Sequence, residues 1–470
     1  MKSFNEPAQN VPLLDDVDVV VCGAGPAGCS AAIAAARLGA RTLLLERDGY
    51  LGGATVSQLV AHILSTNAMD FQGIWHEWIH AIRRRRTDAV APLIGTPGKY
   101  FFRSGVDPEV VKFAWQDLLD AAGVEVLFHT WASNAALDGS TCLGVVAETC
   151  AGRRAILAKR VIDCTGNGSV CAAAGVPFTH GNGTDNWNQA MTMVYRMANV
   201  QWPEKGYSGA DMDRIKALAR EHAEPTGPTT PVLTNGRVAN YAMANWVHQS
   251  VAPYRKEMNV FSSRILKVDP LDPRELSRAE REGRDQAWQC AEFIRRNIPG
   301  FEQSYLLDTG AHVGLRDSRR IQGLATVTAD DAWQFRKYDD GIARSSWDID
   351  IWPGDSYDKP AVPREEADYK QHMERLGAGD YFDIRYGALI AAGVDNLLVA
   401  GRCLSAEREA EASLRIQQTC ASTGQAAGVA AALSLRDNVP PRVLDAGKVV
   451  TQLAADRASV EPAWPILATS

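Results

Sequence analysis

The chain has 470 residues, 46% hydrophobic and 22% charged, with 49 Lys and Arg against 56 Asp and Glu for a net charge of -7. That composition excludes disorder and coiled coil and supplies length for roughly two or three domains' worth of core. The acidic balance argues against nucleic acid as a partner, because phosphate backbones recruit basic surfaces, and nine Cys without a C-x-x-C pair read as reduced intracellular thiols.

The opening segment MKSFNEPAQNVPLLDD has neither the apolar stretch of a secretory signal nor an Arg-rich targeting character. A cytoplasmic protein with a short arm at 1–15 is expected. Two uncharged runs, 19–36 and 416–435, are long enough to raise the question of a membrane span. Both are built from Gly, Ala, Ser, Gln and Thr, which drive insertion poorly, so no span is expected and each reads as a buried helix packed close to something.

The first run opens the strongest signal, DVDVVVCGAGPAGCSAAIAAARLGARTLLLERD. Val17 and Val19, Val20 and Val21 make a β-branched strand, Gly23, Gly25 and Gly28 form G-x-G-x-x-G around Ala24, Pro26 and Ala27, and an Ala-rich helix follows. A second strand at 42–45 ends in Glu46, about 20 residues beyond the glycines. Each part has a physical task. Gly23 permits the turn, Gly25 lets backbone approach a pyrophosphate, Gly28 lets helix pack on strand, and the helix N-terminus attracts phosphate. Glu46 can accept hydrogen bonds from a ribose diol, so a dinucleotide site is predicted, although the motif alone does not separate FAD from NAD.

Further along, Phe71, Ile74, Trp75, Trp78, Ile79 and Ile82 recur at helical spacing over 71–86. A helix over 108–122 and a strand meander over 124–159 follow, and the chain returns to the nucleotide domain at Val161. Within the first helix, His76 to His80 reads HEWIH and satisfies H-E-x-x-H. No third ligand of the extended zinc motif lies near, so no metal is expected. Arg83 to Arg86 read as a solvated helix C-terminus favoured by the dipole. A Pro/Thr loop at 224–234, a charged helix at 273–297 and the element GLRDSRR lie in a segment of different character. No second G-x-G-x-x-G stands on a strand-helix junction, so a dedicated NAD(P)H domain is not expected.

The stretches ERDGYLGGAT, VIDCTGNGSVCAAAGV and NLLVAGRCLSAE together resemble the glutathione-reductase-like FAD flavoproteins. DPLDPRELSRAEREGR, HVGLRDSRRIQG and LRIQQTCASTGQAAGVAAAL resemble a bacterial FAD-dependent oxidoreductase subgroup that includes xanthan lyase-like proteins. The resemblance covers about 16–455. It implies an FAD-dependent oxidoreductase of the α/β class: a Rossmann-like FAD-binding domain, parallel sheet plus β-meander, with an inserted α+β substrate domain. The implied division is FAD-binding at 16–176 and 381–437, substrate-binding at 177–380, and a C-terminal helix (444–456) and tail at 438–470.

The resemblance also implies roles for individual residues. Gly23, Ala24, Gly25, Pro26, Ala27 and Gly28 match the pyrophosphate loop, Glu46 the ribose acid and Arg47 the adenine edge. Gly52, Gly53 and Thr55 match the turn beside the diphosphate and ribityl chain, and Thr165 and Gly166 the strand end near the adenosine half. Gly401 and Arg402 match the last strand, where many relatives carry Gly-Asp. Gly424, Gln425 and Ala426 match the start of the final helix, whose positive end can stabilise charge on a reduced flavin.

Arg316, Arg319 and Arg320 are spaced so that they do not all face one way, and Arg's planar fork suits a carboxylate. Salt bridges to Asp330, Asp331, Asp339 and Asp340 are the alternative for any one of them. Two positions depart from the subgroup: Trp352 and Arg408 stand where relatives usually carry His. The candidate catalytic set is His62, Arg316, Arg320, Tyr386 and Arg408, with Asp350 and His312 as further replacements for a missing base. His62 could instead be a covalent flavin link or a packed histidine.

The leading expectation is a dehydrogenase or oxidase passing hydride to flavin from a small polar metabolite or natural-product intermediate, with a carboxylate or another anionic group matched to Arg408. Oxygen, a quinone or a redox protein would then accept the electrons. Alternatives are a reductase of an activated C=C bond, a monooxygenase, or a flavoprotein tailoring partner without independent turnover. Twelve Trp are compatible with a homodimer interface.

Overall fold

The computed structural model describes residues 10–65, 73–90, 94–95, 102–201, 208–221, 256–356 and 364–456. The Val-rich strand is β1 (Leu13–Cys22), which starts before the β-branched stretch because Leu13 already pairs with Ala155. It leads into α1 (Pro26–Arg37), with Pro at the first helical position, and then β2 (Thr42–Leu45). After β3 (His62–Ser65) come α2 (Gly73–Arg85), β4 (Phe102–Gly105) and α3 (Pro108–Ala122), whose N-cap Asp107 accepts from the Glu109 amide. Next are β5 (Glu125–Leu127) and a meander of β6 (Trp131–Asp138), β7 (Thr141–Thr149) and β8 (Gly152–Asp163).

The main sheet has the order β5-β2-β1-β8-β7-β6, and β8 serves two partners. Its first half pairs antiparallel with β7, while Val161, Ile162 and Asp163 pair in parallel with β14 (Leu397–Val399). One 12-residue strand thus carries the chain from the meander into the parallel sheet. Val19, Val20, Val21, Leu43, Leu44, Val161 and Ile162 are fully buried, as expected of parallel strands covered on both faces.

The two uncharged runs pack on each other. The second forms α6 (Gln417–Arg436), which lies on α1. A Cβ at Gly424 would sit 2.0 Å from the Ala27 carbonyl oxygen, and one at Gly428 would sit 2.1 Å from that of Ala31. Only glycine permits this backbone approach, which is the physical reason for small residues in both runs. Among the described residues no helix is long and apolar enough to cross a membrane.

A second core belongs to a three-stranded antiparallel sheet, β10-β9-β11, made of β9 (Tyr195–Ala198), β10 (Met258–Val260) and β11 (Tyr305–Thr309). It is covered by the charged helix α4 (Pro273–Asn297) through Ala287, Cys290 and Ile294. This core runs from Met191 to Val313, whereas Val327, Ile342, Phe382 and Ile384 pack with the nucleotide core. The second core thus draws on residues between Met191 and Val313 alone. It is followed by the ribbon β12 (Gly341–Ser345) and β13 (Phe382–Arg385), the short α5 (Arg408–Leu414) and, after α6, α7 (Ala446–Ala455). Phe71, the Pro/Thr loop at 224–234 and the tail beyond 456 lie outside the described residues.

All nine Cys are free; Cys150 is exposed and the other eight are buried.

Candidate flavin site and its surroundings

Two glycine turns meet backbone to backbone at the end of β1. Gly23 has a φ of 96°, and a Cβ there would lie 2.7 Å from the Cys164 carbonyl oxygen. A Cβ at Gly28 would lie 1.7 Å from the Gly23 oxygen. From the second turn, the Gly52 amide donates to the Ala24 carbonyl at 2.9 Å, and a Cβ at Gly53 would fall 2.8 Å from Gly25 Cα. Side chains are thus absent where the two turns meet, the place expected from the sequence for a phosphate chain.

Glu46 is buried at the end of β2, where its carboxylate accepts from the Ala24 amide at 2.7 Å and the Asp48 amide at 2.9 Å. Burial raises its pKa. A carboxylate can take about four hydrogen bonds, so acceptor capacity remains for a ribose diol. Arg47 is exposed beside it. Asp48 accepts from His312 Nε2 at 3.1 Å; burial alone would raise its carboxyl, but the His312 bond and charge hold it below its ordinary value. His312 thus ties the segment after β11 to the loop that follows β2.

At the end of β8, Asp163 fastens the next turn. Its Oδ1 accepts from the Thr165 amide at 3.0 Å and hydroxyl at 2.7 Å, and its Oδ2 accepts from the Cys171 amide at 2.9 Å. Sequence reasoning named Thr165 and Gly166 but passed over this buried acid, although it opens the DCTG stretch. Gly401 has a φ of 81° and donates its amide to the Thr423 hydroxyl at 3.1 Å. Arg402 is a brace: it donates to Gly166 O at 2.9 Å, Leu315 O at 2.5 Å and Asn167 Oδ1 at 2.6 Å.

One assignment needs correction. Gly424, Gln425 and Ala426 do not start the final helix, because α6 begins at Gln417. Gly424 packs on Ala27, Ala426 is fully buried, and Gln425 Oε1 accepts from the Ile74 amide at 3.0 Å at the start of α2. The positive end of the helix lies at Gln417, Gln418 and Thr419, and its N-cap, Ile416, has no side chain that could cap it. Gln417, which the sequence reading missed, receives the Thr55 hydroxyl and donates to Val60 O at 2.8 Å, linking this end to the second glycine turn.

Around this end stand several of the other candidates. His62 on β3 is 5% exposed and meets Phe261 edge-on, ring centroids 4.8 Å apart. Trp352 lies between guanidiniums, with Arg264 at 4.4 Å and Arg316 at 5.6 Å from its ring, and Arg316 donates to Ala190 O. Arg415 holds Asp350 through a 3.1 Å bond to its carboxylate. Arg408 lines a cavity of about 130 Å³ with Asn182, Trp187, Ile351, Pro353, Gly354 and Asp355. The Nε of Arg408 is buried and has no hydrogen-bond partner among the described residues.

Two catalytic candidates have their polar groups engaged by protein partners. Arg320 is 7% exposed and locked to Glu411 at 3.2 Å and Gly181 O at 3.1 Å. Tyr386 is buried with its hydroxyl on Pro441 O at 2.8 Å, and burial pushes its pKa well up. Three of the four acids proposed as alternative partners for the DSRR arginines pair with other cations: Asp330 with Arg364, Asp331 with Arg336 and Asp340 with Arg385. In HEWIH, His76 and His80 Nε2 lie 3.0 Å apart, but Glu77 is held bidentate by Arg37 at 2.8 Å. Among the described residues no cluster of three ligands for a metal exists.

The glycine turns, the acid closing β2 and the open N-terminus of α6 define a dinucleotide-binding protein of the Rossmann class, and this donor set fits FAD. The chain belongs to the FAD dependent oxidoreductase family, which it matches over residues 18–453. It is an FAD-dependent enzyme. Among curated relatives, it is 34% identical over 158 residues to digeranylgeranylglycerophospholipid reductase 2 of Methanopyrus kandleri, covering 32% of this chain and 38% of that one. Urocanate reductase of Eggerthella lenta is 46% identical over 65 residues, 14% of this chain and 10% of its own length. The chain thus spans well under half the length of either relative. A geranylgeranyl bacteriochlorophyll reductase-like structure from Thermoplasma acidophilum shares 14% identity at a TM-score of 0.45, over 94% of this chain and 85% of that one. That likeness is too loose to carry an argument.

Proposed function

We propose that the enzyme oxidises a small polar donor that carries a carboxylate. The observation that carries this reading is Arg408, a cation with a buried, unpartnered Nε on the wall of a small cavity. A guanidinium in such a position favours an anion with planar acceptor geometry. FAD, when bound, supplies a two-electron acceptor for hydride from substrate carbon.

The chain's own residues then have three tasks. Gly23, Gly25, Gly28, Gly52 and Gly53 take the diphosphate and Glu46 the ribose. Arg415 and Gln417 fix the α6 N-terminus, whose dipole favours negative charge nearby. We assign removal of the donor proton to His62, buried against Phe261.

Arg408→Ala tests the carboxylate reading. The expected result is a KM for anionic donors raised about tenfold or more, as for loss of a charge-assisted bond, with neutral donors unaffected. Unchanged kinetics with every anionic donor would contradict it. A second reading, reduction of an activated C=C bond, draws on the two relatives named as reductases, and turnover with a reduced donor and an unsaturated acid would support it.

A further inference from the structure

We propose that Gln189, Asp317 and Glu411 form the floor of a ligand subsite that holds an ammonium group, so that the substrate is a small amine bearing a carboxylate. The inference rests on the reading above and narrows its substrate class. All three residues are 3% exposed or less: Gln189, Asp317 and Glu411 are each at 1%. Each keeps one buried polar atom without a hydrogen-bond partner among the described residues: Gln189 Nε2, Asp317 Oδ2 and Glu411 Oε1. Buried polar atoms left open in this way are rare in native proteins.

The remaining atoms of these side chains are committed, which fixes their orientation. Asp317 Oδ1 accepts from the Gln189 amide at 2.8 Å, Glu411 Oε2 from Arg320 at 3.2 Å, and Gln189 Oε1 from the Trp352 amide at 3.0 Å. Asn188 adds a further open acceptor, its Oδ1, while its amide nitrogen donates to Ser318 O at 3.5 Å. Open acceptors therefore outnumber open donors, and two of them belong to acids. An ammonium offers three N–H donors and matches this set, whereas a hydroxyl offers one and a carboxylate none.

The three floor residues lie behind the cavity that Arg408 lines, one residue layer from its wall. Trp187 precedes Asn188 and Gln189, Ile351 and Pro353 flank Trp352, and a Cβ on Gly354 would lie 2.1 Å from the Asn188 carbonyl oxygen. Arg320 also donates to Gly181 O, next to the lining residue Asn182. Arg408 stands three residues before Glu411 on α5, so the two share a helix face. A cation and an anion a few atoms apart in one small molecule fit that spacing, with Asp355 at the exposed rim. The cavity of about 130 Å³ corresponds to about four waters at about 30 Å³ each.

Glu411 is faced by Asp317, Arg320, Arg402 and Cys420, with Arg408 and Arg415 on its own segment. Burial, then the neighbouring Asp317, pushes its carboxyl up to about 8. A bound ammonium favours the ionised carboxylate, so binding strengthens as pH rises toward that value.

Calorimetric titration of the FAD-loaded enzyme with L-alanine and L-lactate compares an ammonium with a hydroxyl on the same skeleton. L-alanine is expected to bind about tenfold more tightly, with an advantage that grows between about pH 6.5 and 8.5. Glu411→Gln and Asp317→Asn, each confirmed as folded by its melt, are expected to abolish the advantage, and Glu411→Gln its pH trend. Equal binding, tighter L-lactate, an advantage surviving both substitutions, or no binding of either probe overturns the proposal. Failure of the functional reading looks different: L-alanine then binds as described but leaves the flavin's visible band unchanged. Hydroxy acids that bleach the flavin without any ammonium preference would overturn the subsite alone.

Discussion

At the residue scale, the cradle and the buried acids give separate expectations. Glu46 answers the buried Ala24 amide and the part-buried Asp48 amide, so Glu46→Ala leaves the first unsatisfied at about 1–3 kcal/mol. Equilibrium dialysis of the variant is expected to show FAD affinity lowered by tenfold or more in order of magnitude, and wild-type affinity would contradict the role given to this acid. Asp348 provides a pH signature. It is buried, holds the Tyr369 hydroxyl at 2.6 Å, and burial pushes its carboxyl up to about 6. The neutral form is favoured in the folded state, so its stabilising contribution is full below about pH 4 and is lost as pH rises through about 6. With a shift of about two units the loss is of the order of 3 kcal/mol. Asp348→Asn should lack this slope, so the difference in melting temperature between variant and wild type should widen from about pH 4 to about pH 6 and then level off. The glycines and Glu46 were legible in the sequence because backbone sterics and a strand-end acid are local properties. Glu411 was not: in the string REAEAS it reads as one of several solvated acids, and only the placement of α5 against Arg320 and Asp317 buries it.

At the element scale, the contact between α1 and α6 sets the position of the cradle. The uncharged, small-residue runs announced close packing, and the structure shows that each run is the other's partner. A methyl at Gly424 or Gly428 would meet the carbonyl oxygen of Ala27 or Ala31 at about 2 Å. Gly424→Ala and Gly428→Ala are each expected to cost about 1–3 kcal/mol, the usual range for overpacking, read as lower melting temperatures. Gly424 faces the first turn of α1, which carries the pyrophosphate loop, so its variant should also lose FAD affinity more than the Gly428 variant; the reverse order would show that the helix contact does not position the loop. The start of α6 was misplaced because Gly424, Gln425 and Ala426 were assigned to it from the family resemblance, whereas Gly424 and Ala426 serve helix packing and Gln425 holds the start of α2. The open end lies at Gln417, where partners come from Thr55 and Val60, more than 350 residues away in the chain. No local pattern reports such a contact.

At the scale of the whole molecule, one long strand joins the meander to the parallel sheet, and Arg402 and His312 tie the inserted unit to the nucleotide core. The fold class and cofactor were legible because they reside in motifs of a few residues with fixed spacing. The surroundings of the α6 N-terminus were less so, because contacts such as His62 with Phe261 and Trp352 with Arg264 and Arg316 join separated stretches of the chain. Arg408, with its buried Nε on the wall of a small cavity, is the basis for proposing an anionic donor. The decisive observation is the visible absorbance of the purified, FAD-loaded enzyme under anaerobic conditions during addition of small carboxylate-bearing amines and alcohols. Bleaching of the flavin band by such a donor, recovered on admitting oxygen or a quinone, is the expected result. A band unmoved by all of them, but bleached by a nicotinamide donor and restored by an unsaturated acid, would contradict the account and identify a reductase.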